Sequence, residues 1–242
     1  MTFELIPVLS LMEELYQQPP RPERFQEYIN RLRGETKTDL ALPIVGFNPM
    51  AREHVLGKIA ELQAIDAEGI MQSVMEEVNA EKENDSPEKI QVVLNLADDL
   101  KGGWTNRYTT DFDTKFKLHA FVVRNFCTPF FWSSEAYTVE LICQRTMDQL
   151  YRTIWAKRHP RLYTLRDHLE QEVFVCQRSE RQTEKNDFSE IQAFYQHHQQ
   201  NDDYSLIFNF FYGDDASESL GFSTYGIKAV NGFDYAAHLA VR

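Results

Sequence analysis

SPEKIQVVLNLADDLKGG, residues 86–103, is the stretch on which the architecture turns. Read with a period of 3.6, Ile90, Val93, Leu94 and Ala97 form one stripe of a helix. Ser86-Pro87-Glu88 supplies its start, with proline in the first turn, and Gly102-Gly103 its stop. Val92 and Leu96 add a second apolar side, which makes this helix a central one. Read with a period of two, Ile90 to Leu96 is a buried strand, because a short apolar run fits either template. The helical reading agrees with the signals on both flanks and predicts a mainly α protein, with α+β as the alternative.

Immediately downstream, the connection over residues 101–113 carries Trp104, Asn106, Arg107, Tyr108 and Asp111. Rings, a guanidinium fork and carboxylates suit specific binding, and a connection so equipped either carries function or ties down a fold. Trp104, Tyr108 and Phe112 stand at helical spacing, but the glycine pair and the density of threonines and aromatics favour an extended path. On the helical reading, Asp98 and Asp99 fall in a last turn, where the helix dipole disfavours carboxylates. They require a cation, and Arg107 or Lys101 is near in sequence. Two roles follow for the segment. It is a clasp if Arg107 is consumed by that bridge. It is a ligand-binding cleft lined by Asp99, Trp104, Asn106, Arg107, Tyr108 and Asp111 if Arg107 points into a pocket.

Helix signals dominate upstream. Thr2 caps an expected helix over residues 2–17. Pro19-Pro20 and Pro22 end it and open the next, which Gly34 closes. Asn48-Pro49 marks a helix reaching about residue 65, and Asp66 caps another with Ile70, Val74 and Val78 on its buried line. The polar run 80–85 is the best linker. It allows an N-terminal unit 1–80 and a main unit 86–242, although a single domain over 1–242 is preferred.

Downstream, residues 116–126 fit helix or strand, and Phe130-Phe131-Trp132 follows Pro129. The longest helix spans 134–158. Thr164 with Asp167, and Asp187 with Glu190, have capping-box spacing. Residues 205–212 are a dense apolar block ended by Gly213. The expectation is a compact multi-helix globule of about eight helices, with room for a small β element around 116–132 or 205–212.

Composition sets bounds. A net charge of −12 argues against nucleic-acid or anionic-membrane binding, both of which rest on cationic surface. Residues 60–100 are strongly acidic, whereas Arg152, Lys157, Arg158, Arg161 and Arg166 stand in an acid-free stretch; a solvated acidic face and a basic helix–helix corner is the preferred reading, and the sharper one pairs the two within the molecule or through a protein partner or self-association. The three cysteines are widely spaced and odd in number, as expected in a reducing, cytoplasmic compartment. No run approaches the roughly eighteen apolar residues of a membrane span.

Chemistry-bearing motifs are few. Tyr212-Gly213-Asp214-Asp215 resembles the metal-binding turn of RNA-dependent polymerases over four residues. Such an enzyme needs a third carboxylate, fingers, thumb and a cationic channel, for which the chain is too short and too acidic. A glycine turn followed by a helix-opening aspartate explains the same letters. His119, His168, Glu140 and Glu172 are the only set able to converge inside a bundle; satisfied or exposed polar roles are preferred for them, so no metal and no cofactor is expected. There is no nucleophile elbow and no phosphate loop. The function expected on this basis is an interaction or regulatory protein without catalysis. The alternative is an enzyme or small-molecule binder using a cleft around residues 98–113.

Overall fold

The computed structural model describes residues 1–34, 39–51, 53–81, 87–100, 105–159, 161–181 and 186–241. Among them the chain is mainly α, with eleven helices and five short strands. It divides into two compact units, residues 1–150 and 151–242, and the division falls inside a helix.

The first unit begins with a strand where a helix was expected: β1 is Thr2–Leu5, and α1 is Leu9–Gln17. Pro7 is the reason. Inside a helix over 2–17 it would lack a donor and crowd the carbonyl of Phe3. The chain instead runs extended, with Ile6 N–H bonded to Val92 O at 2.9 Å. Pro22 opens α2, Pro22–Arg33, and Gly34 ends it with φ 61°. Two further helices follow, α3 (Glu53–Ala64) and α4 (Ala67–Asn79).

Within the 86–103 stretch, the described residues 89–92 and 95–97 are also strand, not helix. β2 (Lys89–Val92) and β3 (Asn95–Ala97) are two pieces of one bent path. After α5 (Arg107–Phe116) and the single turn α6 (His119–Val122) come β4 (Phe126–Cys127) and β5 (Phe130–Trp132). All pairings are parallel: β1-β2-β4 form one sheet, with Phe3 opposite Ile90 and Val92 opposite Cys127, and β3 pairs with β5. Val93 N to Cys127 O and Asn95 N to Pro129 O, both 2.9 Å, continue the ladder across the gap. Pro129 has no N–H to return, so it splits the path between β4 and β5, and it stands on an outer strand where that is tolerated.

Residues 92–98 are buried without interruption. A strand covered on both faces loses the alternation that would have marked it, and its apolar positions then satisfy a helical template equally well. The β element expected around 116–132 is present. The one considered at 205–212 is helix.

α7 (Val139–Arg158) passes from the first unit into the second. The second unit contains α8 (Leu165–Arg178), α9 (Ser189–His198), α10 (Tyr204–Ser219) and α11 (Gly232–Ala240), with α8 packed on α11. Thr164 and Asp167 form the reciprocal capping box expected of their spacing. At α9, Asp187 instead accepts from Ser189 N–H at 2.9 Å, and Phe188 occupies the cap position. Gly213 interrupts α10 with φ 80°.

Candidate functional site

β3 and β5 run side by side in the same direction, so their carboxyl ends bring two dipeptides together: Asp98-Asp99 and Ser133-Ser134. The carboxyl ends of parallel strands are where α/β folds assemble sites. Here the two aspartates follow different courses.

Asp99 is closed off. Its side chain, 4% exposed, accepts from Ser134 N–H at 3.0 Å, Ser134 Oγ at 2.7 Å and Arg107 Nη1 at 3.4 Å. Arg107 also donates to Ser134 Oγ at 3.0 Å and to Glu135 Oε1 at 2.6 Å, and its guanidinium lies over the Trp132 ring. Glu135 is bound in turn by both Nη atoms of Arg145, at 2.6 and 3.1 Å. The arginine that would have marked a cleft therefore ties β3, α5 and the turn after β5 into a clasp.

The other residues singled out in this segment are placed as follows. Asn106 caps α5, accepting from Thr109 N–H at 3.1 Å, so the segment is helical from Arg107 onward, not extended. Tyr108 is on the exposed side of that helix, and Asp111 pairs with Lys115 one turn on. Asp98 and Asp99 follow a strand, so the helix-dipole argument for their needing a cation does not apply. Trp104, Lys101 and Gly102-Gly103 lie outside the described residues, as does most of the 80–85 linker and Ser86.

Asp98 leads elsewhere. It is 1% exposed and accepts three hydrogen bonds: from His54 Nε2 at 2.9 Å, Asn48 Nδ2 at 3.0 Å and Ser133 Oγ at 2.9 Å. Burial by itself pushes this carboxyl up, but the bonds from His54, Asn48 and Ser133 outweigh it and hold the group below the usual carboxylate range. An ionised carboxylate only accepts, so the proton of a neutral His54 resides on Nε2. Nδ1 is then a lone-pair acceptor, and it has no hydrogen-bond partner among the described residues.

The neighbourhood keeps His54 in place. Asn95, fully buried at the start of β3, accepts from Gly46 N–H at 2.9 Å and donates to Pro43 O at 2.7 Å. Any side chain at Gly46 would meet the Phe130 ring at 2.8 Å, which is why the 43–51 segment can lie so close to β5. Asn48 was expected to cap a helix. Its Oδ1 does accept from Met50 N–H, but its amide is committed to Asp98 and α3 begins only at Glu53. One turn beyond His54, Lys58 donates to Glu135 O at 2.8 Å, fastening α3 to the turn after β5.

His54 lines a cleft of about 800 Å³, with its side chain 37% exposed. The wall is shared by the end of α1, the prolines before α2 and the start of α3: Tyr16, Gln17, Gln18, Pro19, Pro20, Arg24, Ala51, Glu53 and Leu56. Arg24 is 3% exposed and holds four carbonyl oxygens, those of Pro49, Tyr16, Gln18 and Ala51, at 2.7–3.3 Å. Its guanidinium thus caps the negative end of α1 and shapes the cleft floor. The Tyr16 hydroxyl donates to Asn48 O, and burial pushes that phenol far above its ordinary range.

None of these cleft residues stood out in the sequence. The recoverable signal was the strand reading of 90–96, which would have put Asp98 at a carboxyl end.

The polymerase-like tetrapeptide is a turn. Asp214 Oδ1 accepts from Asn209 Nδ2 at 3.0 Å and from the N–H groups of Tyr225, Gly226 and Ile227 at 3.2 Å each, while Asp215 is exposed, so the two carboxylates do not converge. Glu172 is bound bidentately by Arg152 at 2.6 and 2.8 Å, and His168 Nδ1 lies 2.7 Å from Thr164 O. Among the described residues no three His, Cys, Asp or Glu side chains are arranged to hold a metal, and no helix is long and apolar enough to cross a membrane. No family model, no curated protein and no solved structure matches the chain.

Proposed function

We propose that this chain is a small-molecule-binding protein whose ligand enters the cleft beside α3 and is met there by His54. The observation that carries this reading is the His54–Asp98 pair. A buried carboxylate with three donors orients one imidazole edge and leaves the other nitrogen without a partner, in a concavity of ligand size; such pockets span roughly 300–1,000 Å³. The reading keeps the small-molecule alternative raised by the sequence but moves it from residues 98–113 to the opposite side of Asp98.

An interaction role without catalysis draws less support. The large exposed apolar side chains, such as Phe25, Met50, Tyr108 and Tyr163, belong to different elements and turns. A cytoplasmic location fits three cysteines that are widely spaced and odd in number.

The test is a fragment library titrated into isotope-labelled protein. Ligands of the cleft shift the amides of Gln18, Ala51, His54 and Leu56 together, and His54→Gln weakens them. Hits that shift only amides remote from these residues, or none at all, would reject the assignment.

A further inference from the structure

We infer that His54 acts as a general base through Nδ1, drawing a proton from a small, largely apolar molecule that becomes an anion in the cleft, with Asp98 as the positioning residue; this rests on the cleft reading above. The proton-accepting side is fixed by connectivity. Asp98 holds Nε2–H and is itself held by Asn48 and Ser133, so the imidazole cannot present its other edge without breaking its bond to that carboxylate. A proton accepted at Nδ1 makes an imidazolium whose charge faces the Asp98 carboxylate at 2.9 Å, which favours the transfer.

The anion-accepting side lies in the same lining. A guanidinium has five N–H donors, and Arg24 uses four on carbonyl oxygens, which leaves one Nη2–H. No carboxylate among the described residues pairs with this buried cation. The Gln18 carboxamide, also in the lining, has no hydrogen-bond partner among the described residues. With the Glu53 carboxylate also in the lining, Arg24 and Gln18 are the donors the cleft offers to negative charge that develops as the proton departs. Pro19, Pro20 and Leu56 supply the apolar wall for the body of the molecule. The class of substrate is therefore a weak carbon or oxygen acid with a small apolar frame, and the reaction class is proton abstraction.

The experiment uses the full chain and a nitro-substituted benzisoxazole, a probe whose only requirement is a base in a cleft. Its ring C–H proton passes to Nδ1, the C–H electron pair completes the nitrile, and the N–O bond breaks to release a coloured phenolate. The proposal expects saturable phenolate release that falls by about 100-fold or more in His54→Gln, with the variant's thermal transition retained as the folding control. Probe binding, seen as shifts of the Ala51 and Leu56 amides, without phenolate release, or with release unchanged in His54→Gln, overturns the general base and leaves the cleft reading standing. Absence of both release and amide shifts removes both. Asp98→Asn adds a readout that mere packing would not move: it should redistribute the His54 proton between the two nitrogens in a nitrogen NMR spectrum.

Discussion

Asp98 and Asp99 are adjacent carboxylates at the end of one short strand, and they face the same serine pair, yet they serve opposite purposes. The donors to Asp99 are themselves anchored: Ser134 by the turn, and Arg107 by Glu135, which Arg145 binds again. The side chains of Asp99, Ser134, Arg107 and Glu135 are each bonded to at least two others, which makes the network a fastening. The donors to Asp98 include one that is not used up. His54 passes the orientation of a buried carboxylate out to a half-open cleft and ends in a nitrogen with no hydrogen-bond partner among the described residues. The lesson is that density of recognition-competent residues is a poor guide to a site. What distinguishes a site is a chain of hydrogen bonds that stops one partner short.

The comparison can be broken most forcefully at Asp98. Asp98→Ala removes the acceptor of the buried Asn48 amide and of His54, and leaving a buried donor unsatisfied should cost about 1–3 kcal/mol, read as a lowered urea midpoint. Because the folded-state pKa is depressed, the stabilisation from this carboxylate is fully present above its unfolded value near pH ~4. It is lost as pH falls through the lower folded-state value. Asp98→Asn should therefore flatten that part of the acid limb of stability against pH, whereas an unchanged limb would show that Asp98 is not ionised within this network.

The clasp side is expected to yield less. Arg107 is 43% exposed, so solvent screens its pairs with Asp99 and Glu135. Arg107→Ala should lower stability by about 1 kcal/mol and leave binding in the cleft unaltered. His54→Gln should do the reverse, changing stability by less than about 1 kcal/mol while weakening ligands. If Arg107→Ala weakens cleft ligands as much as His54→Gln does, the two carboxylates do not divide the work as described.

Sequence reading reached the helices with chemical ends, because proline, glycine and capping residues act locally. α2 between Pro22 and Gly34 and α8 with its Thr164–Asp167 box are cases in point, whereas α7, expected to open at Ser134, begins at Val139 with the Thr138 hydroxyl accepting from Leu141 N–H at 3.1 Å. It reached the wrong element where tertiary burial erased the period. Residues 92–98 are covered on both faces, and α10 is buried along Leu206 to Phe211 on every side. The candidate site was harder still. His54 is a lone histidine at a helix start, 44 residues from its carboxylate, and its importance depends on the parallel alignment of β3 with β5. No spacing rule links them. Arg107 was legible, with Lys101, as a cation near Asp99 in sequence, and the structure pairs it there.

The central claim is that Asp98 fixes His54 with Nε2 protonated and Nδ1 open to the cleft. Nitrogen NMR of the imidazoles at neutral pH tests it directly. The account predicts a single tautomer for His54, protonated at Nε2, with the Nδ1 signal moving when a cleft ligand is added. A His54 protonated at Nδ1, or one averaging between both tautomers as a solvated histidine does, would contradict it.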